Sequence, residues 1–281
     1  MKIFLSISGI NDHDHPKGLI ERLGLLCPEG FEVPGMFRAR LPQDDPRIPD
    51  ILGLFTVWGL KPRRDQTRPM DYETEYHVRR YREYEDADFE GLELLQLWPK
   101  HVFHVHCPPG LMGIQKSDVK KGVHFARGLF GAPVIVPDRV KALMEAGGLQ
   151  GLLMQPLRLL ANTQVTIPSK ELDWSVVGGP WWTVDSLVTL PPVSPYLQKV
   201  NTTTGATFPR DVRAGVLFEP GFDDVERHYL RSELKKLEPF DVACGWESQG
   251  AVEIIVSKRF YDFCKSHMLK CAFRPVRIDE G

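Results

Sequence analysis

The chain has 281 residues, of which 42% are hydrophobic and 26% are charged, and its formal net charge is -2. A chain of this length and composition buries on the order of three quarters of its unfolded surface. These values predict an ordinary globular protein that does not depend on disulfides or a structural metal for stability. A nearly neutral chain has no general attraction to a phosphate backbone, so we expect no direct binding to nucleic acid.

The cysteines and the apolar runs indicate the compartment. The five cysteines are Cys27, Cys107, Cys244, Cys264 and Cys271. Their number is odd and their spacing irregular, as is typical of reduced thiols in a cytosol. The first ten residues lack the features of a signal peptide, and no later stretch approaches 18 apolar residues. We therefore expect a cytoplasmic protein without a membrane partner.

The first part of the chain is expected to be largely irregular. Residues 2–7 are apolar enough to predict a buried first strand. In residues 27–49 frequent prolines and glycines disfavour long helices and central strands, so we predict an ordered loop region. Residues 51–60 are apolar again and predict a core strand or a buried turn.

Tyrosines and acidic residues occur together in residues 71–90, after a short basic run. Tyrosine offers a large contact area at a small cost in conformational entropy, so exposed tyrosines among charges are typical of protein-binding surfaces. We predict that this segment, with two upstream aspartates, forms part of a partner-binding surface. The predicted residues are Tyr72, Tyr76, Tyr81, Glu83, Tyr84, Glu85, Asp86, Asp44 and Asp45. The alternative is a solvated amphipathic helix whose tyrosines cover the core edge.

The segment from His101 to Cys107 is the best candidate for chemistry. If it is a strand, its period of two places His104 and His106 on one face with Val102. Two such imidazoles could share a zinc ion in a hydrolytic site that adds a carboxylate and a water. No H-E-x-x-H helix or acidic partner stands at a recognisable spacing, so plain strand residues are favoured and we predict no cofactor.

Nearly the same pattern occurs in residues 134–159 and 253–278. In each copy a β-branched run meets a helix-start residue, Pro137 or Ser257, and apolar residues then follow the i, i+3, i+4 spacing of a helix on a sheet. These apolar residues are Val140, Leu143 and Met144 in the first copy and Phe260, Phe263 and Cys264 in the second. Each copy then ends in an extended run, and the copies differ by one residue at a double glycine. This collinearity predicts a duplicated strand–helix–strand unit, with Phe263 buried.

Two further segments lie between the copies. One of them contains three tryptophans, Trp174, Trp181 and Trp182. They either line a ligand pocket or pack over the seam between the two copies, and packing is the commoner role of buried tryptophan. Residues 222–237 predict a helix, because aspartates suit its start and lysines suit its end.

Together these elements predict an α+β protein with mixed sheets and packed helices, built around the two related strand–helix–strand units. We place an N-terminal Pro/Gly-rich lobe, which includes the tyrosine-rich segment, at residues 1–125. A C-terminal lobe with both copies follows at residues 126–281, and the two lobes are expected to pack as one globular body.

Several segments of the C-terminal half carry a family resemblance. They are residues 134–151, Glu171-Leu172, Leu190-Pro191-Pro192, residues 254–260 and residues 273–277. In these segments the chain resembles the immunity proteins of bacterial polymorphic toxin systems, in particular the myxobacterial double-CXXCG family and its relatives. Neither CXXCG motif is present, since only Cys27-Pro28 and Cys244-Gly245 stand isolated. The structural zinc that those motifs imply is therefore not expected here.

The resemblance implies a non-enzymatic protein, encoded beside a toxin, that binds this toxin in the producing cell's cytoplasm and blocks its active site. Such an inhibitor needs a stable scaffold, complementary charge and a few aromatic anchors. Because toxin domains that act on nucleic acids present cationic clefts, the acidic residues after Tyr72 are expected to face one. Two other classes compete with this one: a metal-dependent hydrolase that uses His104 and His106, and an adaptor protein with an unrelated partner.

Overall fold

The protein is an α+β protein with mixed sheets. The computed structural model describes residues 1–11, 17–31, 36–62, 75–106, 112–128, 133–161, 170–194, 199–200, 207–208, 226–245 and 253–280. They fall into two compact units, Met1–Asp88 and the described residues from Phe89 onward. This division lies upstream of the predicted one at residues 125 and 126, because the strands of residues 94–128 pair within the sheets of the second unit.

The first unit is a four-stranded sheet with two helices on one face. Its strands are β1 (Lys2–Asn11), β2 (Met36–Pro42), β3 (Lys61–Pro62) and β4 (Glu75–Glu83), and its helices are α1 (Lys17–Leu26) and α2 (Ile48–Val57). The order is β2-β1-β4-β3, with β1 antiparallel to both neighbours and β3 parallel to β4. A 3-10 turn at Pro28–Phe31 packs near β2.

Side-chain alternation decides which face of this sheet meets the helices. On β1, Leu5 and Ile7 point to one face, and Ile7 is fully buried in one apolar cluster with Leu19 of α1 and Phe55 of α2. Both helices therefore cover this face. Lys2, Phe4, Ser6 and Ser8 of β1 point to the other face, and the register with β2 shifts after Ser8.

Two sequence predictions for this unit are wrong. Residues 51–57 belong to helix α2. Pro49 does not prevent this helix, because it lies in the first turn, where a backbone N–H would have no intrahelical acceptor in any case. The predicted loop region contains β2, in which buried Phe37, Ala39 and Leu41 alternate with exposed Arg38 and Arg40.

The described part of the second unit contains three sheets of four or five strands and a two-stranded ladder. Its strands are β5 (Leu94–Leu97), β6 (His101–Phe103), β7 (Val105–His106), β8 (Gly113–Gln115), β9 (Ala126–Gly128), β10 (Val134–Pro137), β11 (Leu152–Pro156), β12 (Arg158–Leu160), β13 (Glu171–Leu172), β14 (Trp181–Ser186), β15 (Lys199–Val200), β16 (Thr207–Phe208), β17 (Arg227–Leu230), β18 (Val242–Cys244), β19 (Ile254–Ser257) and β20 (Phe273–Asp279). Its helices are α3 (Asp138–Ala146), α4 (Arg231–Leu234) and α5 (Lys258–Ser266). The strand orders are β11-β14-β10-β9-β6, β13-β12-β8-β7, β15-β16 and β17-β20-β5-β19-β18.

The strand pairing confirms the predicted duplication. In the first copy, β10 and β11 flank β14 and are both antiparallel to it, with α3 connecting them. In the second copy, β19 and β20 flank β5 in the same way, with α5 connecting them. Val136 and Pro156 both pair with the same residue of β14, Trp182. Their counterparts Val256 and Pro275 both pair with the same residue of β5, Leu95. The register therefore reproduces the alignment of the two sequence copies, including its one-residue gap.

A buried carboxylate joins the two copies. Asp241, just before β18, accepts a hydrogen bond from the backbone N–H of Gln150 in the first copy (2.9 Å). It also accepts hydrogen bonds from the Ser257 hydroxyl (2.7 Å) and the Arg259 guanidinium (2.6 Å) in the second copy. Arg259 in turn donates to the carbonyl oxygen of Gly147 (3.0 Å) after α3. The start of one copy's helix is thereby tied to the end of the other's.

The tryptophans pack elsewhere than over this seam. Trp181 is buried between two sheets of the second unit, with its ring 5.1 Å from that of Phe103 and with Trp174 at the edge of the same cluster. Trp182 donates its indole N–H to Asp138 (2.8 Å) at the start of α3. The prediction that the tryptophans cover the seam is therefore wrong for the described contacts.

Two further predictions in this unit fail. The first four residues of the helix predicted at 222–237 lie outside the described part of the chain. Residues 227–230 form β17, which pairs parallel with β20, and Arg227 and Tyr229 are buried at a period of two. Within the described part of the predicted range, only Arg231–Leu234 is helical, as the short helix α4. Phe263 is only half-buried, with its ring 4.3 Å from that of His267, whereas Phe260 is fully buried. The inward stripe of α5 is therefore centred on Phe260.

Candidate partner-binding surface

The tyrosine-rich segment forms strand β4 rather than an amphipathic helix. Its even-numbered residues point towards the helix-covered face, and its odd-numbered residues point away from it. Tyr76 accordingly lies in the core, 6% exposed, with its ring centroid 4.5 Å from that of Phe55. The same burial raises the pKa of the Tyr76 phenol. Tyr76 therefore stabilises the fold and is not part of a surface.

The side of this sheet opposite α1 and α2 is the candidate surface, and we call it the outer face. The pairing registers place on it Lys2, Phe4, Ser6 and Ser8 of β1, Arg38 and Arg40 of β2, and His77, Arg79, Tyr81 and Glu83 of β4. Two of the predicted partner-binding residues, Tyr81 and Glu83, thus lie side by side with residues from two other strands.

Arg40 organises the centre of the outer face. Its guanidinium carbon lies 5.3 Å from the Phe4 ring centroid and 5.8 Å from the Tyr81 ring centroid, within the range of cation–π attraction. Its Nη2 donates to the Glu83 carboxylate at 2.6 Å. The side chains of Arg40 and Glu83 nevertheless stay 52% and 44% exposed. These groups are therefore fixed before any partner arrives, yet still accessible to one.

Much of the predicted acidic charge is matched by cations on the same unit. Lys2 pairs with Glu85 at 2.6 Å, and this contact raises the pKa of the Lys2 ammonium. Arg47 pairs with Asp45 at 2.9 Å, and its hydrogen bonds lower the pKa of that carboxyl. The Asp45 side chain is only 11% exposed. A partner would therefore meet ion pairs here rather than bare carboxylates.

The structure separates the remaining predicted residues. Asp44 and Asp86 are exposed and Tyr84 is half-buried, whereas Tyr72 lies outside the described residues. The arginines of β2 were missed because residues 36–42 were predicted as loop. The R-x-R alternation in that stretch was the available signal, since it places both arginines on one face of a strand.

The histidine segment is divided between two sheets. His101–Phe103 forms β6, Val105–His106 forms β7, and His104 lies between them. The Nδ1 atom of His104 is 3.0 Å from the Asp118 carboxylate, which also accepts the His104 backbone N–H (2.5 Å). Across the described ranges, no three His, Cys, Asp or Glu side chains are grouped to hold a metal ion. The His106 side chain and Cys107 lie outside those ranges.

The four described cysteines are free thiols. Burial raises the pKa of Cys264 to about 12, and burial together with a hydrogen bond to Asp185 raises that of Cys244 to about 12. Burial raises the pKa of Cys27 and Cys271 as well. Because the thiolate is the reactive form, these residues behave as small hydrophobic side chains, as predicted for Cys264.

Comparison with known proteins adds no relative: no family model, curated protein or solved structure matches the chain. Among the described residues, no helix is both long and apolar enough to cross a membrane.

Proposed function

We propose that this protein is an immunity protein, which binds a cognate bacterial toxin in the cytoplasm of the producing cell and neutralises it by covering its active site. The observation that carries the proposal is the outer face of the first unit. It presents aromatic and charged side chains, already held in place by one another, on a rigid sheet. The choice of a toxin as partner rests on the resemblance of residues 134–151, 254–260 and 273–277 to immunity proteins.

The physical argument is one of preorganisation. Binding orders interface side chains at a cost of about 0.5–1.5 kcal/mol for each rotamer-rich residue, so side chains fixed beforehand favour affinity. Arg40 is held by Phe4, Tyr81 and Glu83, and aromatic residues and arginine are enriched among those that contribute most to binding. The outer face therefore supplies the anchors that an occluding inhibitor needs, without a reacting group.

Co-expression tests the function directly. The toxin domain encoded next to this protein should arrest growth of a host when expressed alone, and growth should return when this protein is expressed with it. The purified pair should also elute as one complex. Continued arrest, with both proteins folded and present, would rule out the proposal.

A substitution tests the surface. Tyr81→Ala removes one aromatic anchor and should weaken the complex by at least about 1 kcal/mol, roughly fivefold in Kd. Trp58→Ala is the matched control, because Trp58 is a partly exposed aromatic residue next to α1 on the helix side. Equal affinities for the two variants would place the interface elsewhere.

A further inference from the structure

The duplication extends beyond the two strand–helix–strand units. In the first copy β12 pairs parallel with β8, and Arg158 lies opposite Gly113. The matching residues of the second copy, Arg277 of β20 and His228 of β17, lie opposite each other in the same way. A short helix follows each of these partner strands, a 3-10 turn at Lys116–Asp118 after β8 and α4 after β17. Strands β9 and β18 come next, and they pair antiparallel with the equivalent strands β10 and β19.

The strands in the middle of the two copies are also equivalent. Gln96 of β5 lies opposite Ile255 of β19. Thr183 of β14 lies opposite Ile135 of β10, which is the counterpart of Ile255. Both polar side chains are almost fully buried, 3% and 4% exposed. Strands β5 and β14 therefore occupy the same place in the two copies.

The segment that follows each middle strand shows which repeat this strand belongs to. Val102, six residues after Gln96, lies in β6 and pairs parallel with β9 of the first copy. Thr189, six residues after Thr183, forms a parallel bridge to β18 of the second copy. Because the spacing is equal, β5 and β6 belong to the first repeat, and β14 and Thr189 belong to the second.

We infer that the second unit consists of two tandem repeats, residues 94–160 and 181–279, that have exchanged their first strands. Strand β5 leaves the first repeat and pairs with β19 and β20 of the second, whereas β6 stays with its own repeat. Strand β14 makes the reverse exchange and pairs with β10 and β11 of the first repeat. Each repeat therefore receives a central strand of its sheet from the other.

Strand β14 completes a ring of strands in the first repeat, which we call the first ring. Only Leu157 separates β11 from β12, and only His104 separates β6 from β7, so the two sheets that contain these strands are continuous. One apolar cluster has members from β6, β8, β9, β10, β12 and β14. The exchanged strand thus contributes both to the ring and to its core.

Strand β5 completes the equivalent ring in the second repeat, the second ring. Its strands follow the order β17-β20-β5-β19-β18, and residues 188–194 connect the two ends. The N–H of Leu190 donates to the carbonyl oxygen of Cys244 in β18 (2.9 Å), and the N–H of Ser194 donates to that of His228 in β17 (2.7 Å). Without β5 the second ring would be open between β19 and β20.

The exchange couples the two rings in folding and in unfolding. The second ring needs β5, which pairs with residues about 160 positions later in the chain, so it cannot close before the C-terminal strands have been made. Separating the rings would withdraw a central strand from each, and the hydrogen bonds on both sides of that strand would be lost. The two rings should therefore open together as one cooperative body.

Paired cysteines in the full-length protein test the exchange itself. A disulfide forms only where the two Cα atoms lie within about 7 Å. The variants Gln96→Cys/Ile255→Cys and Thr183→Cys/Ile135→Cys pair residues that are opposite each other only if the strands are exchanged. The control variants Gln96→Cys/Ile135→Cys and Thr183→Cys/Ile255→Cys pair the same positions as an arrangement without exchange would. Each variant is refolded in a glutathione redox buffer, and the linked peptides are identified by mass spectrometry.

We expect the two exchanged pairs to be linked within one molecule and the two control pairs to stay reduced. Links in the control pairs, or no link in the exchanged pairs of folded protein, would overturn the inference. Links that form only between two molecules would overturn exchange within one chain. If cysteines at these buried positions impair folding, Leu94→Cys/Ser257→Cys tests the same pairing, with Leu94→Cys/Pro137→Cys as its control.

Amide hydrogen exchange tests the coupling of the rings. Ile135→Val and Ile255→Val make the same small change at equivalent, fully buried positions of the two rings. Each should lower the protection of the slowest amides by roughly 2- to 10-fold. The factor should be the same in β10 and in β19, whichever ring carries the substitution. Protection that falls only in the substituted ring would show that the rings open independently and would contradict the coupling.

Discussion

Asp241→Ala should be one of the most damaging single substitutions in the second unit. The side chain is 5% exposed and accepts three hydrogen bonds, two of them from charged or hydroxyl groups of the second copy. Removing it leaves the Gln150 N–H without its acceptor, and breaking a buried ion pair typically costs about 3–5 kcal/mol. Arg259 is 56% exposed and regains water, so we take the lower end, about 3 kcal/mol.

Urea titration at neutral pH measures this loss. Asp262→Ala is the control, since Asp262 pairs with Lys258 on the exposed surface of α5 and should cost no more than about 0.5 kcal/mol. A loss below about 1 kcal/mol for Asp241→Ala would mean that the carboxylate does not hold the two copies together and would refute the reasoning.

Three further predictions concern the second unit and the pH range. Phe260→Ala should destabilise the protein by about 3–5 kcal/mol and Phe263→Ala by roughly half as much, as their burial dictates; equal losses in denaturant would contradict the assignment of the inward face. Gly151 has φ +79°, and a Cβ there would overlap a backbone carbonyl oxygen. Gly151→Ala should therefore lower the free energy of unfolding by more than about 1–2 kcal/mol, as measured in a thermal melt. The control Gly53→Ala places its Cβ in open space and should not destabilise the protein. Burial first, and then nearby cations, lower the pKa of His124, so the neutral ring favours the folded state. Its contribution to stability should therefore be complete above about pH 6.5 and be lost progressively as the pH falls from there through its lowered pKa. A His124→Gln variant with unchanged acid sensitivity would exclude this residue as the cause.

The duplicated unit could be predicted from sequence because its signals are local. A β-branched run, a helix start and an apolar stripe are all contained in about 25 contiguous residues of each copy. The middle strands could not be assigned in this way. The middle strand of the first copy, β14, follows that copy in the chain, whereas the middle strand of the second copy, β5, lies far upstream of it. Their pairing therefore depends on contacts between distant residues, which no local sequence pattern encodes.

The candidate surface was predicted only in part, for a similar reason. Tyr81 and Glu83 belong to the segment identified from composition, but Arg40 reaches them from β2, about forty residues earlier. Tyr76 was assigned to a surface because composition does not show which way a side chain points. Only the strand pairing shows that it faces the helices.

The most direct test of the proposed function is a titration of the cognate toxin's activity with this protein. Occlusion of the active site predicts that activity falls linearly with added protein and ends at one molecule per toxin, with tight binding in roughly the nanomolar range. Full toxin activity in the presence of excess protein would contradict the account. So would complete inactivation by a small fraction of an equivalent, because that result would identify an enzyme.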